Sequence, residues 1–147
     1  MNILGAVFAA LAGAAMSVQG VMNTRLSDKI GLFESNAFVQ ATAFALSLIV
    51  MLVFGRGDLF SVFQVKPVYL FGGVLGIAIT VFVMLAMSNL SPAVAVSVIL
   101  IAQLLVAAII DAFGIMESPK IPFHWTKILG LFLMIAGVIV FKIKGSN

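Results

Sequence analysis

The sequence has no cysteine, a single histidine, one tryptophan and four prolines, and its 147 residues include only eight basic and five acidic side chains. The lack of cysteine excludes disulfide frameworks, thiolate metal sites and thiol nucleophiles. The lone histidine, His124, stands beside Trp125 between apolar runs and has no partner residue with which to form a catalytic pair. No metal-ligand cluster, glycine-rich phosphate loop or nucleophile–base spacing occurs, so the chain reads as a non-enzyme that needs no cofactor. Charged residues make up 9% of the chain, against about 25% in soluble domains. So little charge cannot cover a protein surface against water. The net charge of +3 and pI near 9.6 do not indicate nucleic acid either. The basic residues come singly at the ends of apolar runs, and no basic stripe forms.

What the sequence has in abundance is apolar length. Hydrophobic residues make up 63% of it, with thirteen Phe, thirteen Gly and eight Met, and the mean hydropathy is +1.28. The solvent that suits such a chain is lipid, and glycine is more frequent in membrane helices than in soluble ones. Five runs approach the ~20 apolar residues that a spanning helix requires: residues 3–22, 36–54, 68–88, 92–113 and 127–143. They are continuously apolar and lack strand alternation, and backbone groups in lipid must be satisfied within helices or closed barrels. The predicted fold is therefore an all-α integral membrane protein, a five-helix bundle forming a single membrane domain over residues 1–147. The Ala12–Ser17 stretch resembles a signal-peptidase site, but no Lys or Arg precedes the first run, so it is read as a mature helix.

The connections between runs are short. Residues 23–35 read as a loop carrying Arg25, Asp28, Lys29 and Glu34, and residues 55–67 as one carrying Arg56, Asp58 and Lys66. Asn89-Leu90-Ser91-Pro92 reads as a tight corner in which Pro92 opens the fourth helix, where its missing N–H costs nothing. Residues 118–122 hold two prolines and read as extended. Tyr69 and Trp125 fall at helix starts, where interfacial aromatics belong.

Small residues recur every fourth position: Gly5, Ala9, Gly13 and Ser17 in the first run, Ala37, Ala41 and Ala45 in the second, Gly72 and Gly76 in the third. Such stripes let helix backbones approach closely, here chiefly within the chain, with contact between copies as the second reading. Five spans place the termini on opposite sides. Lys and Arg then divide evenly, Arg56, Lys66, Lys120 and Lys127 on one side and Arg25, Lys29, Lys142 and Lys144 on the other. Orientation follows the side richer in Lys and Arg, and neither side is richer. The expectation is dual topology, with two copies pairing antiparallel into a ten-helix inverted assembly. The alternative is one orientation fixed by another signal, such as a paralogous partner chain.

Polar residues within the runs mark the candidate site, since such groups are costly in a bilayer. Gln19 and Asn23 stand four apart on one helix face, as do Asn36 and Gln40 at the start of the next helix, so all four amides approach one membrane surface. Arg25 lies just beyond, and Gln103 sits midway along the fourth helix. Each amide alone reads as an interhelical hydrogen bond; Gln19, Asn23, Gln40 and Gln103 together read as the lining of a substrate cavity. Asp111 is the one acid within an apolar run. It reads either as a coupling group, with Arg25 as the second ionisable residue, or as a headgroup-level carboxylate held by Lys120 or Lys127.

Four segments carry a family resemblance: "QGVMN" ending the first helix, "GGVLG" opening the third, "AQLLVAAIIDAFG" in the fourth and "GLFLMIAGVIV" in the fifth. In these the chain resembles the DUF606 or YdcZ-like membrane proteins, five-helix members of the drug/metabolite transporter superfamily, over nearly its whole length. The segment from Gln103 to Gly114 is the most specific. It departs from the family's His–Phe–Gly run after the acid, having Ala112 in place of the histidine. The resemblance implies a multi-pass protein of the bacterial inner membrane and a half-length subunit whose antiparallel homodimer rebuilds a 5+5 inverted repeat. It further implies a secondary transporter, an exporter of a small polar or charged organic solute working by alternating access. Its small multidrug resistance relatives carry a Glu within the first helix. None stands there in this chain, which favours a neutral, polar or anionic solute. A passive dual-topology channel and a non-transporting accessory subunit are the other readings.

Overall fold

The structure is a computed structural model that describes residues 2–121 and 124–143. The first helix, α1 (Ile3–Ile30), is capped by Asn2, whose side chain accepts from the Leu4 N–H at 3.2 Å. It runs through Arg25, Asp28 and Lys29, where the sequence suggested a loop, and stops only at Gly31. Exposed charged residues are compatible with a helix. The break is made by the glycine, whose φ of 100° lies where a side chain is strained. A Cβ at Gly31 would also press on the Glu34 carboxylate. The second helix, α2 (Leu32–Phe54), begins immediately afterwards, so one residue replaces the expected thirteen-residue connection at 23–35.

Two 3-10 turns follow, Leu59–Gln64, capped by Asp58, and Pro67–Phe71, which carries Tyr69. They lead into α3 (Gly72–Asn89). As the sequence suggested, Pro92 occupies the first turn of α4 (Pro92–Phe113). Gly114 ends α4 in the left-handed conformation, φ 65°, its N–H donating to the Ile110 carbonyl at 2.8 Å. A 3-10 turn at Ile115–Glu117, followed by Ser118 in an extended conformation, comes before α5 (Trp125–Ile143).

The chain divides into two compact units, Met1–Asn89 and Leu90–Asn147. In the first, α1, α2 and α3 pack on one another, and its buried apolar residues are Met84 and Met87. The close approach lies at Gly20, where a Cβ would meet the Met87 side chain at 2.7 Å and Val83 at 3.1 Å. The small-residue stripes lie elsewhere. Gly5, Gly13, Gly72 and Gly76 have nothing within 4 Å of a Cβ built on them among the described residues, so these glycines make no close helix contact within the first unit. In the second unit, α4 packs on α5.

Outward-facing residues include Phe8, Phe44, Phe54, Phe82, Phe113 and Phe132, all exposed. Water is a poor solvent for such surfaces and lipid a good one. Four helical segments are long and apolar enough to cross a bilayer, Ile3–Ile30, Leu32–Phe54, Pro67–Asn89 and Pro92–Phe113, and a shorter apolar helix spans Trp125–Phe141. The chain is thus a multi-pass helical membrane protein. Of the cations in the charge tally, Lys144 and the Lys142 side chain lie outside the described residues, as does Pro122 of the expected extended connection.

Candidate solute site

The polar side chains of the first unit lie near one end of its three helices. A single residue joins α1 to α2, and the two helices pack on one another as a hairpin. Ser35 Oγ donates to the Asn23 carbonyl at 3.3 Å across this hairpin. Asn23, Thr24, Ser35 and Asn36 are all buried. Thr24 and Ser27 donate along α1, to the Gly20 and Thr24 carbonyls, each at 2.8 Å. About one turn deeper along α2 from Asn36, Gln40 Nε2 donates to Thr80 Oγ1 of α3 at 3.4 Å, and that hydroxyl donates to the Gly76 carbonyl at 2.9 Å.

The sequence-predicted residues are therefore not equivalent. Asn23 and Gln40 point into the first unit, Asn23 buried and Gln40 half-buried. Gln19 is exposed. With Ala14, Ala15, Val18, Met22 and Asn23 it lines a shallow hollow along α1. Arg25 turns outward, 81% exposed, and pairs with Asp28 one turn on at 3.5 Å. Sequence reading noted Asn36 among the amides but did not place it in the site. It missed Thr24, Ser35 and Thr80, whose hydroxyls are unremarkable in a sequence; the available signal was Thr24 falling one turn beyond Asn23's neighbour Gly20, on the packed face of α1.

In the second unit, Asp111 and Lys127 form an ion pair between α4 and α5, Nζ to Oδ2 at 3.3 Å, both partly exposed. Ile121 is tied to the same place, its N–H donating to the Asp111 carbonyl at 2.9 Å. A hollow of mostly apolar lining opens beside the pair, walled by Leu104, Leu105, Ala107, Ala108 and Leu131. Gln103 is exposed on α4. It lies eight residues from Asp111, about 12 Å along the helix. No group of three or more metal-ligating side chains occurs among the described residues.

The interior polar groups of the first unit are amides and hydroxyls, and an ion pair joins α4 to α5 in the second; such groups in an apolar multi-helix chain suit a membrane transporter. Comparison with known families agrees. The sequence model of the family described as "Putative inner membrane exporter, YdcZ" matches residues 4–140, and the chain belongs to that family. It is accordingly a multi-pass protein of the inner membrane and a member of an exporter family. No curated protein and no solved structure matches it.

Proposed function

We propose that the chain is a half-length exporter of a small polar or charged organic solute. In this reading all five helices cross the membrane, and two copies pair antiparallel and alternate access around a shared site. Gln19, Asn23, Gln40 and Gln103 line the solute path, Asp111 is the coupling group, and Arg25 stands at the mouth. The observation that carries the reading is Gln103. It is an amide midway along an apolar helix, exposed on its own unit, and an amide in hydrocarbon requires polar partners or a water-filled cavity. A site shared between copies supplies either. The even division of Lys and Arg supports insertion in both orientations.

Topology is the first test. Asp28, Asp58 and Glu117 are exposed and do not count in the Lys and Arg tally, so each can be replaced by cysteine in this cysteine-free chain. Labelling with a membrane-impermeant thiol reagent is then compared in intact and lysed cells. Dual insertion predicts labelling of about half of the molecules at every position before lysis. If position 28 labels from one side only and positions 58 and 117 from the other only, the orientation is single and the antiparallel homodimer is excluded. An export assay in liposomes then separates coupled transport, which saturates, from a passive pore, which does not.

A further inference from the structure

Asn36 Oδ1 is buried without a hydrogen-bond partner, in a residue only 8% exposed. Its neighbourhood explains why no side chain meets it. The hydroxyl protons nearby are committed to backbone carbonyls: Ser35 to Asn23, Thr24 to Gly20 and Ser27 to Thr24. A hydroxyl has one proton to give, so these groups can still accept but no longer donate. Asn36 Oδ1 is thus met by no hydroxyl, and a buried acceptor left unmet is unfavourable.

The sign of the local field selects among donors. Gly20 of α1 lies against Val83 and Met87 near the end of α3, and Gln40 of α2 reaches Thr80. These pairings make α3 run in the same direction as α1. Two helix C-termini, at Ile30 and Asn89, therefore approach this end of the unit against one N-terminus, at Leu32. Helix C-termini favour positive charge. The two cations of the α1 C-terminal turns do not face inward, since Arg25 turns outward to Asp28 and Lys29 is exposed. Exposed Glu34 adds a further negative group near the hairpin tip. Part of the remaining wall, beside Gly20, is Met87, an unbranched thioether that can move aside.

We propose that Asn36 Oδ1 binds the protonated N–H group of a small organic cation, an ammonium or amidinium. This rests on the exporter reading and narrows its solute to one class, in place of the neutral or anionic solute that the sequence favoured.

The test uses the full chain in lipid nanodiscs, with methylammonium and guanidinium as probes at millimolar concentration and sodium at matched ionic strength as the control. Thermal unfolding reports binding, because a ligand held only by the folded state raises the midpoint as it saturates. One or both organic cations should protect the protein saturably and sodium should not. Asn36→Leu should abolish that protection. Asn36→Asp, which keeps the shape and adds charge, should lower the half-saturating concentration about tenfold. If Asn36→Leu fails to fold, the aspartate variant decides the matter alone. Equal protection by sodium, protection that survives Asn36→Leu, an unchanged half-saturation in Asn36→Asp, or no protection by either organic cation would each overturn the proposal; the last would assign the acceptor to water. Binding is read here without flux. Absent protection with intact saturable export removes only this inference, whereas protection without any export removes the exporter reading.

Discussion

The two units treat polar groups in opposite ways. In Met1–Asn89 the amides and hydroxyls of α1, α2 and α3 turn toward one another and are largely consumed by hydrogen bonds, Ser35 to Asn23 and Gln40 to Thr80 across helices. In Leu90–Asn147, Gln103 is exposed and the Asp111–Lys127 pair stands at the edge of an apolar hollow. Polar groups that satisfy one another hold helices together and are removed at a cost in stability. Polar groups left over are available to a solute or to a second copy, and their removal is felt in transport. The difference therefore predicts which variants lose fold and which lose function.

The largest expected effect falls on the second unit. Gln103→Ala should abolish saturable export in liposomes while leaving dimerisation, measured by cross-linking in the membrane, unchanged. Normal flux in that variant would remove the central residue of the proposed path. The next effect falls on the first unit and on stability. Gly20→Leu drives a side chain into Met87 and Val83, which already stand within about 3 Å of a Cβ at that position. Overpacking of this kind costs about 1–3 kcal/mol. Gly20→Ala should be nearly neutral, because the flexible end of Met87 can move and Val83 has only slightly to give, and alanine contributes about 1 kcal/mol of helix propensity over glycine. Unfolding in mild detergent with added denaturant measures both, and a Gly20→Leu protein as stable as the parent would deny that α1 and α3 meet there.

The Asp111–Lys127 pair comes next. Both side chains are partly exposed, 40% and 30%, so breaking the pair should change stability by no more than about 1 kcal/mol. Its consequence lies in flux. If Asp111 couples transport to protons, Asp111→Asn abolishes the pH dependence of export, and Lys127→Met alters that dependence while the carboxylate remains. A pH profile unchanged in Asp111→Asn returns the pair to a purely structural role, tying α5 to the end of α4.

Much of this architecture was legible in the sequence because lipid imposes a coarse rule. Apolar length sets where helices run, and Pro92 marks where α4 opens. The charged segment at 23–35 misled for a physical reason. Charge marks where a helix leaves hydrocarbon rather than where it ends, and α1 continues to Gly31, whose positive φ makes the break. Glycine spacing misled in the same way. Gly5, Gly13, Gly72 and Gly76 form the visible pattern yet are open, while Gly20, outside it, makes the tight contact. Spacing identifies a face that can pack; the partner that fills it comes from three-dimensional arrangement. Likewise the amides were visible as intramembrane polar residues, whereas the unmet acceptor at Asn36 depends on how the neighbouring groups are arranged in space.

The smallest effect is the most discriminating for the comparison between units. Gln40 and Thr80 are joined by a long hydrogen bond of 3.4 Å, and Thr80 has a second partner in the Gly76 carbonyl. Hydrogen bonds between membrane helices average about 0.6 kcal/mol in double-mutant cycles. A cycle of Gln40→Ala with Thr80→Val should therefore give a coupling of about that size, with modest loss of stability in each single variant. A coupling near zero would mean that Gln40 is not held by α3. It would then be as uncommitted as Gln103, and the Gln40→Ala variant should lose export as severely. A measurable coupling with near-normal export would instead place Gln40 among the groups that hold the first unit together. The path would then narrow to the residues whose hydrogen bonds the fold does not use.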